Sequence, residues 1–151
     1  MQINHQKTKM LCISAARSYI PKSYIISTDG TKISSSDTLK ILGFTFTSDP
    51  NAKKHLQILQ NKFKSRIWAL RHLKKTGFKT EELVLVYKSM IRPLAEYCSS
   101  VLFSLMTAAD SLELDRIQMQ ALKSIFGWRN SYSSLLLKSG LETLHLSLIH
   151  I

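Results

Sequence analysis

Between residues 53 and 75, Lys53, Lys64, Arg71 and Lys75 share one spacing with Gln57, Gln60 and Trp68, each following the last by three or four positions. On a helix turning about 100° per residue they fall in a single row. The chemistry open to such a row is binding rather than bond-making. Cations along a rigid rod match a line of phosphates, because each contact releases condensed counterions. Trp68 within the row could pack on a sugar or a base, or anchor the helix to a neighbouring one. The same residues fit a solvated basic face with a half-buried indole, and this stretch alone leaves both uses open.

Bond-making chemistry finds little to work with. Five Asp and five Glu are spread along the chain, and the adjacent pair Glu81-Glu82 stands where a helix begins, as a counterweight to the helix dipole. Neither a phosphate-cradling glycine loop nor a GxSxG nucleophile elbow occurs. Cys12 and Cys98 are too few and too far apart for a disulfide framework, and the five histidines form no HxxxH pair. Two buried free thiols in a reducing compartment, cytoplasm or nucleus, are expected, with no metal site.

The element that must position the row is the stretch from Ala52 to Lys75, which has eight Lys or Arg and no Gly, Pro or acidic residue. Leu56, Leu59, Phe63, Ile67, Leu70 and Leu73 give it an apolar stripe at helical spacing, expected opposite the cations. At about 1.5 Å per residue the rod would be about 36 Å long, gripped from behind by smaller helices. Gly77 should end it. A second helix should begin at a Thr80 cap and bury Leu83, Tyr87, Met90 and Leu94, with Pro93 kinking it or starting another. An apolar segment from Leu94 to Met106 follows. Thr107 with Asp110 reads as a capping box for a helix burying Leu114, Ile117, Ala121 and Ile125 and ending at Gly127, and a shorter helix spans Tyr132 to Ser139.

Before Asp49-Pro50 the pattern is that of strands. Met10 to Ile13 fits a buried strand. Tyr24 to Ser34 fits a hairpin turning at Asp29-Gly30. Leu39 to Thr47 fits a strand in which Gly43 permits a bulge or a close backbone approach. The fold class is therefore α+β, a few strands followed by an all-α bundle. With 151 residues, 44% hydrophobic and 21% charged, the chain is globular in character. Its net charge of +11 favours a polyanionic partner, and no apolar run is long enough to span a bilayer.

Several pieces, in this order, resemble the reverse transcriptases of non-LTR retrotransposons, the jockey-like long interspersed elements. Asn4-x-x-Lys7-Thr8 looks like the motif that follows their catalytic Asp pair. Leu39 to Phe46 resembles their primer-grip hairpin. Trp68, the helix around Tyr87 to Ser89, Ile91 to Leu94, Glu96-Tyr97, Leu114 to Gln118, Ala121-Leu122 and Ile125-x-Gly127 resemble their thumb. The resemblance runs to about Leu144, with residues 18–38 contributing little. It implies that residues 1–49 are the end of a polymerase palm with primer-grip strands, and that residues 50–145 are a helical thumb. It implies RNA template and DNA primer as partners, held as a hybrid duplex, with the fingers and the rest of the palm supplied upstream in the same polypeptide. Lys7 matches a lysine proposed as general acid toward departing pyrophosphate, and also fits an exposed lysine beside a strand. Leu42, Gly43 and Phe44 match the primer grip, Gly43 for close approach to the primer end and Phe44 for packing. Lys53, Lys64, Trp68, Arg71 and Lys75 become the duplex-binding row. The family's two-metal chemistry implies Mg2+ for the full-length enzyme. Its carboxylates would lie upstream of Met1, so this chain is expected to hold no cofactor and not to polymerise alone.

Residues 146–151, LSLIHI, are similar to a translated sequencing adaptor and are read as a scar outside the fold. Together with the upstream carboxylates, they make the chain read as a fragment clipped at both ends. The alternative from another class is a free-standing basic helical module that binds nucleic acid and has no polymerase ancestry. A third reading is a silent remnant held together only by its core.

Overall fold

A computed structural model describes residues 4, 7–14, 24–26 and 30–150 of the chain, the last two without their side chains. The Asp29 half of the expected hairpin turn lies outside the described residues. The architecture is α+β: two small antiparallel hairpins followed by helices. Two compact units divide it, Met1–His55 and Leu56–Ile151, with the break inside the first helix. Among the described residues, no helix is long and apolar enough to cross a membrane.

In the first unit, β1 (Tyr24–Ile26) pairs with β2 (Lys32–Ser34), Ile26 opposite Lys32. The second hairpin joins β3 (Thr38–Ile41) to β4 (Phe44–Thr47), with Ile41 opposite Phe44. Leu42 and Gly43 are its two turn residues, at φ of 47° and 88°, the signs a type I′ turn requires. Gly43 therefore helps reverse the chain where a bulge or a close backbone approach was open, and Leu39 to Phe46 is a hairpin of two strands. Met10 to Ile13 is not a buried strand. Met10 makes one parallel bridge to Ser35, and Ile13 is exposed. Phe44 is buried, stacked on His55 at 4.1 Å and tilted against Phe46 at 4.8 Å, while the Thr45 amide donates to His55 Nδ1.

Helix α1 (Lys53–Lys75) starts where Asn51 Oδ1 accepts from the Lys53 amide. It ends in a Schellman motif: the Phe78 amide donates to the Leu73 carbonyl and the Gly77 amide to that of Lys74. Leu56, Leu59, Phe63, Ile67 and Leu70 are buried as their spacing predicts, and Leu73 is half-buried. Helix α2 (Thr80–Val86) has Lys79, not Thr80, at its N-cap, whose amide donates to the Glu82 carboxylate at 2.7 Å.

The chain then passes through a π turn, Tyr87–Ile91, closed by the Arg92 amide on the Tyr87 carbonyl. Pro93 opens the short α3 (Pro93–Glu96) in the first-turn position its ring favours. A π turn holds one more residue than an α turn. That extra residue moves the inward face from Met90 to Ile91, so Ile91 and Ala95 are buried while Met90 is exposed. Arg66 Nη1 donates to the Met90 carbonyl at 2.7 Å. The apolar stretch that follows is interrupted at Cys98, which has φ of 59°, before α4 (Ser99–Leu105).

Helix α5 (Ala108–Phe126) is the centre of the helical unit. Its Thr107–Asp110 capping box is complete, with the Thr107 amide on the Asp110 carboxylate at 2.9 Å and the Asp110 amide on Thr107 Oγ1 at 3.3 Å. Leu114, Ile117, Ala121, Leu122 and Ile125 are buried. It packs on α2, on α6 (Tyr132–Ser139) and on α7 (Leu144–His150). The cationic rod is thus a flank of the unit rather than its axis. Residues 144–150, partly set aside above as a scar, form a packed helix with Leu144 and Leu148 buried and Ser147 Oγ donating to Glu96. Both cysteines are free and half-buried, not buried.

Candidate nucleic-acid interface

The helical unit holds Lys64, Trp68, Arg71 and Lys75 on one exposed edge of α1. Trp68 is 68% exposed, with its ring parallel to that of His72 at 5.8 Å. Lys53 is also exposed, in the first turn of α1, but belongs to the other compact unit. The row does not lie opposite the apolar stripe. At about 100° per residue it is centred roughly 110° around the helix from it, so its inner members meet α5. Gln60 Nε2 reaches Glu113 Oε1 at 3.5 Å, and Arg71 Nε donates to Ser124 Oγ at 3.1 Å. One turn on, Lys74 Nζ donates to the carbonyls of Ser124 and Ile125 at 3.2 and 2.6 Å. A cation there offsets the negative end of the α5 dipole.

These contacts bring in residues that sequence reasoning passed over. Just beyond α5, Trp128 is 62% exposed, with the Arg71 guanidinium 5.9 Å and Lys123 Nζ 5.8 Å from its ring centre. The edge of α1 and the C-terminal end of α5 therefore form one surface of Lys64, Trp68, Arg71, His72, Lys75, Lys123 and Trp128. The available signal was the string Gly127-Trp128-Arg129 shortly after Lys123. Among the described residues the ion pairs are Arg92 with Glu96 and Arg116 with Glu113, and neither uses a cation of this surface.

A second concentration of polar groups lies inside. Tyr87 donates to Gln118 Oε1 at 3.1 Å, and Gln118 Nε2 donates to the Tyr132 hydroxyl at 3.2 Å and the Glu142 carbonyl at 2.8 Å. Tyr132 donates to Asp115 Oδ1, which also accepts from the Leu144 amide at 2.9 Å. Arg92 joins Glu96 to the Glu142 carbonyl. Burial pushes the Tyr87 hydroxyl well above the usual tyrosine range, against the pull of nearby Arg92. Burial and then the Asp115 charge push Tyr132 the same way. Both phenols stay neutral donors, and the cluster satisfies itself within the protein.

Lys7 is exposed, in a turn where its amide meets the Asn4 side chain and carbonyl. Leu42 is 82% exposed at the hairpin tip beside Gly43, and Phe44 is buried below it. A groove of about 280 Å³, lined by Ser65, Arg66, Leu70, Val86, Met90 and Ile91 among others, is mostly apolar. Among the described residues no three of His, Cys, Asp and Glu are grouped to hold a metal. Their donor set does not fit a divalent ion of two-metal phosphoryl transfer.

No family model, curated protein or solved structure matches this chain.

Proposed function

We propose that the helical unit binds nucleic acid along the edge of α1, with Lys64, Arg71 and Lys75 on backbone phosphates and Trp68 against a sugar or base. The observation that carries this reading is the exposed row itself: cations at helical intervals with an indole among them, none held by a carboxylate among the described residues. A net charge of +11 adds long-range attraction for the same ligand. Contacts of this kind fix register without reading sequence.

The parent activity we infer is that of a non-LTR retrotransposon reverse transcriptase, this chain contributing primer grip and duplex binding to an RNA template and DNA primer. That inference rests on the ordered motifs from Asn4 to Gly127. The exposed Leu42-Gly43 tip suits an approach to a primer strand. Lys53 would add a contact from the first turn of α1, and Lys7 a proton donor near the palm. Mg2+ would belong to carboxylates outside this chain. Two unpaired cysteines suit a reducing compartment, cytoplasm or nucleus. The free-standing module remains the second reading, favoured by the fact that the row needs no polymerase to bind.

Titration of the chain with an RNA–DNA hybrid tests the binding. Lys64→Glu combined with Lys75→Glu should weaken it by about a hundredfold, since two attractions become repulsions, while circular dichroism and the unfolding midpoint stay as they were. Undiminished affinity would remove the row from the interface. The reading frame upstream separates the two origins: a Phe/Tyr-Ala-Asp-Asp string shortly before Met1 decides for the polymerase.

A further inference from the structure

Trp128 is displayed by a loop that the protein takes trouble to fix. Gly127, at φ of 101°, turns the chain out of α5, and its amide still donates to the Lys123 carbonyl at 2.9 Å. Asn130 Nδ2 then donates to the carbonyls of Phe126 and Gly127 at 3.1 and 3.4 Å. Lys138 Nζ holds Asn130 Oδ1 at 2.7 Å, and Ser131 caps α6 through the Ser134 amide. The indole is thus pinned at its base and open to solvent.

Exposed apolar side chains scattered singly need no explanation, and Leu85, Leu112 and Leu137 are of that sort. Trp128 differs in its company. Arg71 and Lys123 stand 5.9 and 5.8 Å from its ring centre, at the outer limit of a cation–π contact, where ring and cation attract weakly. Both cations therefore stay available to a phosphate while the ring stays available to a flat partner. A base inside a duplex has both faces covered by its neighbours. A base that is unpaired has an open face, and an indole can take it.

We propose that Trp128, with Arg71 and Lys123, is a stacking platform for an unpaired nucleotide that continues from the end of a bound duplex. The proposal rests on the nucleic-acid reading above and adds the class of ligand: a duplex with a single-stranded extension. The ring takes the base, Arg71 holds the phosphate where the duplex ends, and Lys123 takes the phosphate beyond the base. Trp68 does not duplicate the site, because it lies on the duplex-facing row of α1 with His72 parallel to its ring.

The chain has two tryptophans, so Trp68→Phe leaves Trp128 as the single indole reporter. That variant is titrated with a blunt hybrid duplex and with the same duplex carrying a short single-stranded extension. The extension should quench the Trp128 emission and tighten binding by about tenfold, and the blunt duplex should do neither. Trp128→Ala in the otherwise unaltered chain should erase the tenfold advantage and leave blunt-duplex affinity within about twofold. Trp128→Leu keeps an apolar side chain at this exposed position and should behave as Trp128→Ala does. An advantage that survives both substitutions overturns the proposal, as does equal affinity for the two duplexes. Equal quenching by an acidic peptide overturns it too, by assigning the platform to protein. Failure of the extension effect with blunt binding intact removes only this platform, whereas failure of both ligands to bind removes the nucleic-acid reading with it.

Discussion

Around Gln118 the polar side chains of the helical unit find their partners inside the protein, whereas along the outer edge of α1 the cations face away from it. Both regions are built from long polar side chains on helices, and both run through α5. In the buried one, donors and acceptors close on each other across the π turn, α5, α6 and the start of α7. A buried group costs free energy when its partner is removed, so such a cluster holds helices in register. In the exposed one, Lys64 and Lys75 extend from the helix edge and only the innermost members, Gln60 and Arg71, are drawn onto α5. Polar groups satisfied internally stabilise a fold, and polar groups left outward are available to a ligand.

This contrast can be broken from either side. Gln118→Leu should cost the most, about 3 kcal/mol, because it strands the Tyr87 hydroxyl in the interior and takes the amide donor from the Tyr132 hydroxyl and from the Glu142 carbonyl, which keeps only Arg92. Urea unfolding would read that loss, and hybrid affinity per folded molecule should not change. A loss of affinity at constant stability would move the cluster into the interface.

Tyr87→Phe should cost about 1–1.5 kcal/mol, since only the Gln118 oxygen loses its donor. The same hydroxyl gives a pH signature. An unfolded tyrosine ionises near 10.0, and the folded chain holds the Tyr87 and Tyr132 protons above that. Their contribution is complete below pH 10 and is lost as the pH rises past it. Unfolding midpoints measured up the alkaline range should fall, and fall less steeply in Tyr87→Phe. The smallest effect belongs to the row: Lys64→Ala should weaken hybrid binding by only about threefold, uniformly across sequences, with no change in stability.

Much of the helical part was legible in the sequence. The apolar positions from Leu56 to Leu70, the Thr107–Asp110 box and the glycine at 77 are local signals, and each acts within a few residues of itself. The exchange of Met90 for Ile91 was not legible, because the turn there holds one residue more than helical spacing assumes. The hairpin over Leu39 to Phe46 was read through a family resemblance, but the place of Leu42 in its turn was not legible, because Leu42 adopts a positive φ that a side chain resists. The stripe expected from Lys53 to Lys75 exists as an exposed edge, but its angle to the core had been set at half a turn. The lesser angle is what brings α5, and with it Lys123 and Trp128, onto the same surface. Contacts between residues 50 apart leave no trace in local spacing, and neither does the Tyr87–Gln118–Tyr132 chain.

The most direct test of the row is the salt dependence of hybrid binding, measured for the unaltered chain and for Lys64→Glu with Lys75→Glu. With Lys64, Arg71 and Lys75 on phosphates, log affinity should fall against log salt with a slope of about −3, and the double variant should retain about a third of it. A slope near zero, or one that the double variant leaves untouched, would contradict a phosphate-binding edge on α1.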